Sequence, residues 1–145
     1  MRETKVWQEN DDIFSKWTAT IYSLGVLNWK IYDNITINHT TDEVIITEEQ
    51  LLHIRERHPE AYTDVKRYVK DILDDPDYII KDHHPNTGLV VKKLVAEREN
   101  VILVLKIATS DDRRGYKNSI ITSWKITEKR LDNYLRNKDV VYKKK

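Results

Sequence analysis

Val44-Ile45-Ile46-Thr47-Glu48-Glu49-Gln50-Leu51-Leu52-His53-Ile54-Arg55-Glu56-Arg57-His58-Pro59 passes from strand to helix within a few residues. Val44 to Ile46 are apolar and branched, the composition of a short strand. Thr47 and Gln50 have the spacing of a capping box. The threonine hydroxyl accepts from the third helical N–H, and the glutamine side chain reaches back to the cap. A helix is predicted from there to about Arg57, with Leu51 and Ile54 on its buried side. Pro59 ends it, because the residue before a proline disfavours the helical region.

Downstream, Tyr62, Val65, Val69, Ile72 and Leu73 form one apolar stripe, which predicts a second helix over about Ala61–Leu73. Asp74-Asp75-Pro76 stops it. Strands are predicted at Asp77–Lys81, Leu89–Glu97 and Val101–Ile107, and a fourth at Asn118–Ile126 leads into a last helix, Glu128–Leu135. Val101 to Leu105 is continuously apolar, so that strand should be central and covered on both faces. Helices grouped before strands indicate an α+β fold: two helices, then a four-stranded antiparallel sheet, then a C-terminal helix. Residues 43–145 form this domain in the reading, and residues 1–42 an N-terminal extension packing on it. Within the extension, Val26–Tyr32 is a plausible strand that Asp33-Asn34 would end. Trp7, Phe14, Trp17 and Tyr22 suit an appendage over one sheet edge.

The 145 residues suffice for one core. Apolar residues make up 39% and charged residues 34%, a polar but folding composition. No apolar run approaches the roughly 20 residues needed to span a bilayer, and no signal core follows the N-terminus. The expectation is a cytoplasmic protein with no membrane partner. The absence of cysteine excludes disulfides, thiolate metal sites and a cysteine nucleophile. Net charge is only +1, which does not suit a protein that coats nucleic acid non-specifically. The stretch from Thr127 to Lys145 is net +4, which reads equally as a solvated helix with a basic end.

Four groups can carry chemistry. His58 sits at a helix end before proline, beside Arg55 and Arg57. A histidine there can take and return a proton near neutral pH, and two guanidiniums can hold a phosphate. The same residues also suit a surface histidine among cations that favour a helix C-terminus. Ser119-Ile120-Ile121-Thr122-Ser123-Trp124-Lys125 lies on a strand. Alternation puts Thr122 and Trp124 on one face with Ile120, and Ser123 and Lys125 on the other with Ile121. A hydroxyl and an indole on one face can bond a phosphate and stack on a base, although both are also ordinary strand formers. Asp82-His83-His84-Pro85 invites a metal reading, but adjacent residues on an extended segment point apart, so no metal site and no cofactor is expected. Arg113, Arg114 and Lys117, in the loop after Val101–Ile107, can contact RNA or simply be solvated.

Three stretches, taken in order, resemble a known family: Ile46 to Pro59, Asp75-Pro76-Asp77-Tyr78-Ile79-Ile80, and Asn118 to Ile126. Over about residues 43–143 the chain is similar to the phage-associated nucleases of the barnase–EndoU–colicin E5/D–RelE class, and to their colicin D-like branch. That pattern has lysines where Arg55 and Arg57 stand, the catalytic histidine at His58, serine at the place of Thr122, and tryptophan at Trp124. Arginine keeps the charge but not a titratable role, and threonine keeps the donor with more bulk. The resemblance implies a metal-independent endoribonuclease that leaves a 2′,3′-cyclic phosphate. Its catalytic residues would be His58, Arg57, Arg55, Thr122 and Trp124. Ser123, Lys125, Arg113, Arg114 and Lys117 would bind substrate. RNA, tRNA among it, would be the partner, with a cognate inhibitor protein, for an effector of phage or mobile-element origin. The alternative is a catalytically inactive binding or accessory protein on the same scaffold, either a phage structural accessory or a regulator of a host protein. An enzyme should have a positive cleft holding His58, Trp124 and the basic loop of Arg113, Arg114 and Lys117, and a binder should expose an apolar patch of several hundred Å².

Overall fold

The computed structural model describes residues 3–7 and 20–145. Phe14 and Trp17 of the expected appendage lie outside the described residues. The elements are β1 (Glu3–Val6), β2 (Thr20–Val26), α1 (Trp29–Tyr32), β3 (Glu43–Thr47), α2 (Glu48–Arg57), α3 (Pro59–Asp74), β4 (Tyr78–Lys81), β5 (Thr87–Leu94), β6 (Glu99–Lys106), β7 (Asn118–Thr127), α4 (Glu128–Asn137) and β8 (Asp139–Lys143).

The fold is α+β, with a wider sheet than expected. Among the described residues it has eight strands in the order β1-β2-β3-β7-β6-β5-β4-β8. The antiparallel meander β4 to β7 forms its middle, as the turn-separated apolar runs predict. The sheet is mixed rather than purely antiparallel, because β1 pairs parallel to β2 and β3 parallel to β7. Of the four added strands, β3 was read from Val44 to Ile46, whereas β1, β2 and β8 escaped the sequence reading. β8 pairs antiparallel with β4 although lysines surround its short Val140-Val141-Tyr142 centre. β2 ends at Val26, where the strand was expected to begin, and the expected strand end, Trp29–Tyr32, is one helical turn. Asn28 explains that turn, since its side chain accepts from Lys30 N at 3.1 Å as an N-cap.

The predicted capping box forms at Thr47 in both directions, with Thr47 Oγ1 accepting from Gln50 N at 3.1 Å and Gln50 Oε1 accepting from Thr47 N at 2.9 Å. Proline does not merely end α2. It occupies the first turn of α3, where its missing N–H costs nothing. His58 is therefore the single residue joining two helices, with an extended φ of −138°.

The sheet is covered on both faces. Leu51 and Ile54 of α2 and Val65, Val69 and Ile72 of α3 pack on one face against Ile79, Val90, Leu103, Leu105 and Ile120. On the other face Leu131 of α4 packs with Ile80, Val91, Ile102 and Ile126. Each such side chain, fully buried, contributes roughly 1.5–3 kcal/mol. Trp7 meets Tyr22 edge-on at 5.3 Å and is buried. No helix among the described residues is long and apolar enough to cross a membrane.

Candidate functional site

The site follows from an incomplete strand pairing. β3 pairs with β7 only at Val44↔Asn118 and Ile45↔Ser119, and then turns into α2 at Glu48. Asn118 is fully buried and braces this corner. Its Nδ2 donates to Thr41 O at 2.7 Å and its Oδ1 accepts from Ala108 N at 2.8 Å. Beyond Ser119, β7 has β6 on one side and no strand on the other among the described residues. α2 and α3 pack against β7 instead, and their junction, His58, reaches Trp124. The two rings are 6.1 Å apart at 47°. The His58 side chain is 33% exposed, Nδ1 is 3.7 Å from Glu60 Oε1, and the His53 ring lies 6.3 Å away.

Strict alternation on β7 fails at one point, and this changes which residues share a face. Val104 pairs with Thr122 while Leu105 pairs with Ile120, so Ile121 is an extra, bulged residue. Ile120 consequently joins the core under α2 and α3 instead of accompanying Thr122 and Trp124. Ile121 lies instead on the side of Thr122 and Trp124, where all three line a cavity of about 590 Å³. The Thr122 Oγ1 is buried and has no hydrogen-bond partner. An orphaned buried hydroxyl is costly and is a common mark of a site.

Ser123 and Lys125 face away from this cavity. Ser123 is fully buried and donates to Ile102 O at 2.7 Å. Lys125 Nζ lies 2.8 Å from Asp64 Oδ2, 3.1 Å from Glu97 Oε2 and 3.6 Å from Glu99 Oε2. Burial pulls its ammonium down, but the bonds to Asp64 and Glu97 outweigh that and hold it above the ordinary lysine range. Arg113, Arg114 and Lys117 line a separate polar cleft of about 480 Å³ with Thr40 and Thr41, and Lys117 is ion-paired to Glu43. Arg55 and Arg57 are exposed in the last turn of α2. The structure thus brings His58 to Trp124, and puts Trp124 and Thr122 on one cavity whose lining does not include His58. It leaves Arg55 and Arg57 on the surface beside His58 and directs the remaining five elsewhere.

The other wall of the cavity holds residues that sequence reasoning separated. Asp82, His83 and His84 do not lie on an extended segment. They form a turn closed by Asn86, whose φ is +58°. Asp82 gathers both rings: Oδ1 is 3.3 Å from His83 Nδ1, and Oδ2 is 2.8 Å from His84 Nδ1. Partial burial raises the Asp82 carboxyl, but the ring and backbone of His84, with His83 beside it, outweigh burial and hold it below the usual carboxylate range. The signal for this turn was present, since an Asp carboxylate that accepts from the backbone N–H two residues on, here His84 N at 3.4 Å, makes an Asx turn, and Pro85-Asn86 follow it. Asp111, Asp112 and Lys106 complete the rim, so three carboxylates face one lysine there. This is not the positive cleft an RNA-binding enzyme was expected to show, because the arginines of the loop after β6 turn to the other cleft.

The family model described as phage-Barnase-EndoU-ColicinE5/D-RelE like nuclease 2 matches residues 28–143. No curated protein and no solved structure matches the chain.

Proposed function

Because the chain belongs to the phage-Barnase-EndoU-ColicinE5/D-RelE-like nuclease 2 family, we propose that it is an endoribonuclease that cleaves RNA, tRNA among it, by transesterification. The ribose 2′-oxygen attacks the adjacent phosphorus, the bond from phosphorus to the 5′-oxygen breaks, and a 2′,3′-cyclic phosphate remains. His58 takes the proton of the 2′-hydroxyl and returns it to the leaving 5′-oxygen, which ends as a hydroxyl. Trp124 stacks on a base, and the free Thr122 hydroxyl donates to a phosphate oxygen. Arg55 and Arg57 meet the phosphates outside this centre. RNA carries its own nucleophile, so these steps require no metal. The observation that carries the reading is the contact between His58 and Trp124, residues from opposite ends of the sequence pattern, beside an orphaned hydroxyl.

In this reading residues 43–145 are the catalytic unit and residues 1–42 an extension packed on it. The protein acts in the bacterial cytoplasm as a toxin-like effector of phage or mobile-element origin, restrained by a cognate inhibitor. A second reading, a non-catalytic binding or accessory protein on the same scaffold, is favoured by the three carboxylates on the cavity rim and a net charge of +1. Incubation with total tRNA in EDTA separates the two. The nuclease cuts and His58→Ala does not, whereas a binding protein leaves the RNA intact in both forms.

A further inference from the structure

The turn after β4 presents two imidazoles and a carboxylate to one point, and nothing in the proposed cleavage uses them. These are the only described residues whose His, Asp and Glu donors gather in a group of three, with the donor atoms all within 4.8 Å of one another. The distances are informative. An ion with bonds of about 2.0–2.1 Å to tetrahedral N and O ligands puts neighbouring donors about 3.3–3.4 Å apart. The Asp82 oxygens lie 3.3 Å from His83 Nδ1 and 2.8 Å from His84 Nδ1. The carboxylate already lies between the two ring nitrogens, one oxygen to each, and an ion would take the place of the proton in the hydrogen bond between His84 Nδ1 and Asp82 Oδ2. Both rings are well exposed, at 77% and 68%, so the site has an open path to solvent.

The surroundings favour a cation. The same cavity is lined by Asp111 and Asp112, with Lys106 as its single lysine. Lys106 Nζ is 3.9 Å from Asp112 Oδ1, and Thr109 N donates to Asp112 Oδ2 at 2.8 Å. Mixed imidazole and carboxylate donors without thiolate select zinc, nickel or cobalt over calcium or magnesium. The competing pair, His53 and His58, has no comparable third donor, because Glu60 is 3.7 Å from one ring of that pair and joins no group of three.

We propose that Asp82, His83 and His84 bind one zinc-type dication at the wall of the cavity lined by Thr122 and Trp124. Three protein ligands leave at least one coordination position open toward that cavity, the arrangement of a site that meets a further ligand rather than a closed structural one. The ion is not the source of the nucleophile in the cleavage proposed above, so metal binding and RNA cleavage are separate properties.

The test uses the untagged full chain, stripped with EDTA, desalted and titrated with zinc chloride by calorimetry and with cobalt chloride by visible absorption. No RNA is present, so the outcome is independent of nuclease activity. One ion per chain should bind, with a cobalt spectrum showing nitrogen ligation. His83→Ala and His84→Ala should each weaken binding about tenfold or more, while His58→Ala and His39→Ala, the latter removing a ring stacked on Trp29, leave it unchanged. Circular dichroism should show all four variants folded, since the substituted rings of the turn are exposed. Absence of saturable binding would overturn the proposal. So would affinity that survives both turn substitutions, or loss in His58→Ala equal to that in His84→Ala.

Discussion

Replacing Lys125 with methionine keeps the stem and removes the ammonium that sits among Asp64, Glu97 and Glu99. Lys125 and Asp64 are both only 13% exposed, whereas the two glutamates are about half exposed. At an effective dielectric of about 20, a pair 2.8 Å apart gains about 6 kcal/mol before desolvation is subtracted. Desolvation takes back most of it, and the exposed glutamates add little. What the substitution leaves behind is Asp64 with its cation gone in a mostly covered position. That places the loss between the 1 kcal/mol of a surface pair and the 3–5 kcal/mol of a fully buried one, at about 2–3 kcal/mol. Unfolding entropy near 2.1 cal/mol/K per residue over 145 residues converts this to a Tm lowered by about 7–10 °C. The sign with pH also follows. The folded-state pKa is raised, so the stabilisation is fully present below the unfolded lysine value of about 10.4 and is lost as pH climbs through the folded value. The gap in Tm between wild type and Lys125→Met should therefore hold from neutral pH to about 10 and close above it. Thermal melts followed by circular dichroism measure the gap, and RNA cleavage kinetics at a temperature well below both transitions should be unchanged. An unaltered Tm together with a raised KM would refute the reasoning and return Lys125 to the substrate.

Two further substitutions probe the packing that positions the site. A Cβ on Gly88 would lie 2.6 Å from Ile35 Cδ1, so Gly88→Ala should cost about 1–3 kcal/mol. Ile35→Val, which deletes that methyl, should recover part of the loss in a melt of the double variant, and additive losses would show that the clash is not the cause. Tyr32→Phe removes the hydroxyl that donates to Leu73 O at 2.5 Å near the end of α3, and denaturant unfolding should report a loss of about 1–2 kcal/mol. A midpoint equal to wild type would mean that this bond contributes nothing net.

The parts of the fold legible in the sequence are those with a local signal. Thr47 and Gln50 announce their own capping box, and the stripe from Val65 to Leu73 announces α3, because capping and amphipathic spacing act over a few residues. β8 was not legible, since three residues between lysines carry no pattern until β4 offers an edge to pair with. α1 was hidden by branched and aromatic residues that favour a strand, against which only the Asn28 cap spoke. At the site, His58, Thr122 and Trp124 could be named from order and residue type. Alternation already put Ser123 and Lys125 on the face away from Thr122 and Trp124, but their partners, Ile102 O for Ser123 and the carboxylates of α3 and of the β5–β6 connection for Lys125, lie far off in sequence, as does Glu43, which holds Lys117 of the basic loop. The Ile121 bulge moved Ile120 to the opposite face, and alternation alone cannot anticipate a bulge. The turn at Asp82 shows the converse, since adjacent side chains that would diverge on a strand converge once the backbone folds around a carboxylate.

The central claim is that His58 serves a reaction in which RNA attacks itself. An RNA cut by the wild-type protein, remade with a single 2′-deoxy nucleotide at the cleavage position, tests it most directly. The parent should be cut to a 2′,3′-cyclic end, the deoxy substrate should survive, and His58→Ala should cut neither while remaining folded. Cleavage of the deoxy substrate at the rate of its parent, or full activity in His58→Ala, would contradict it.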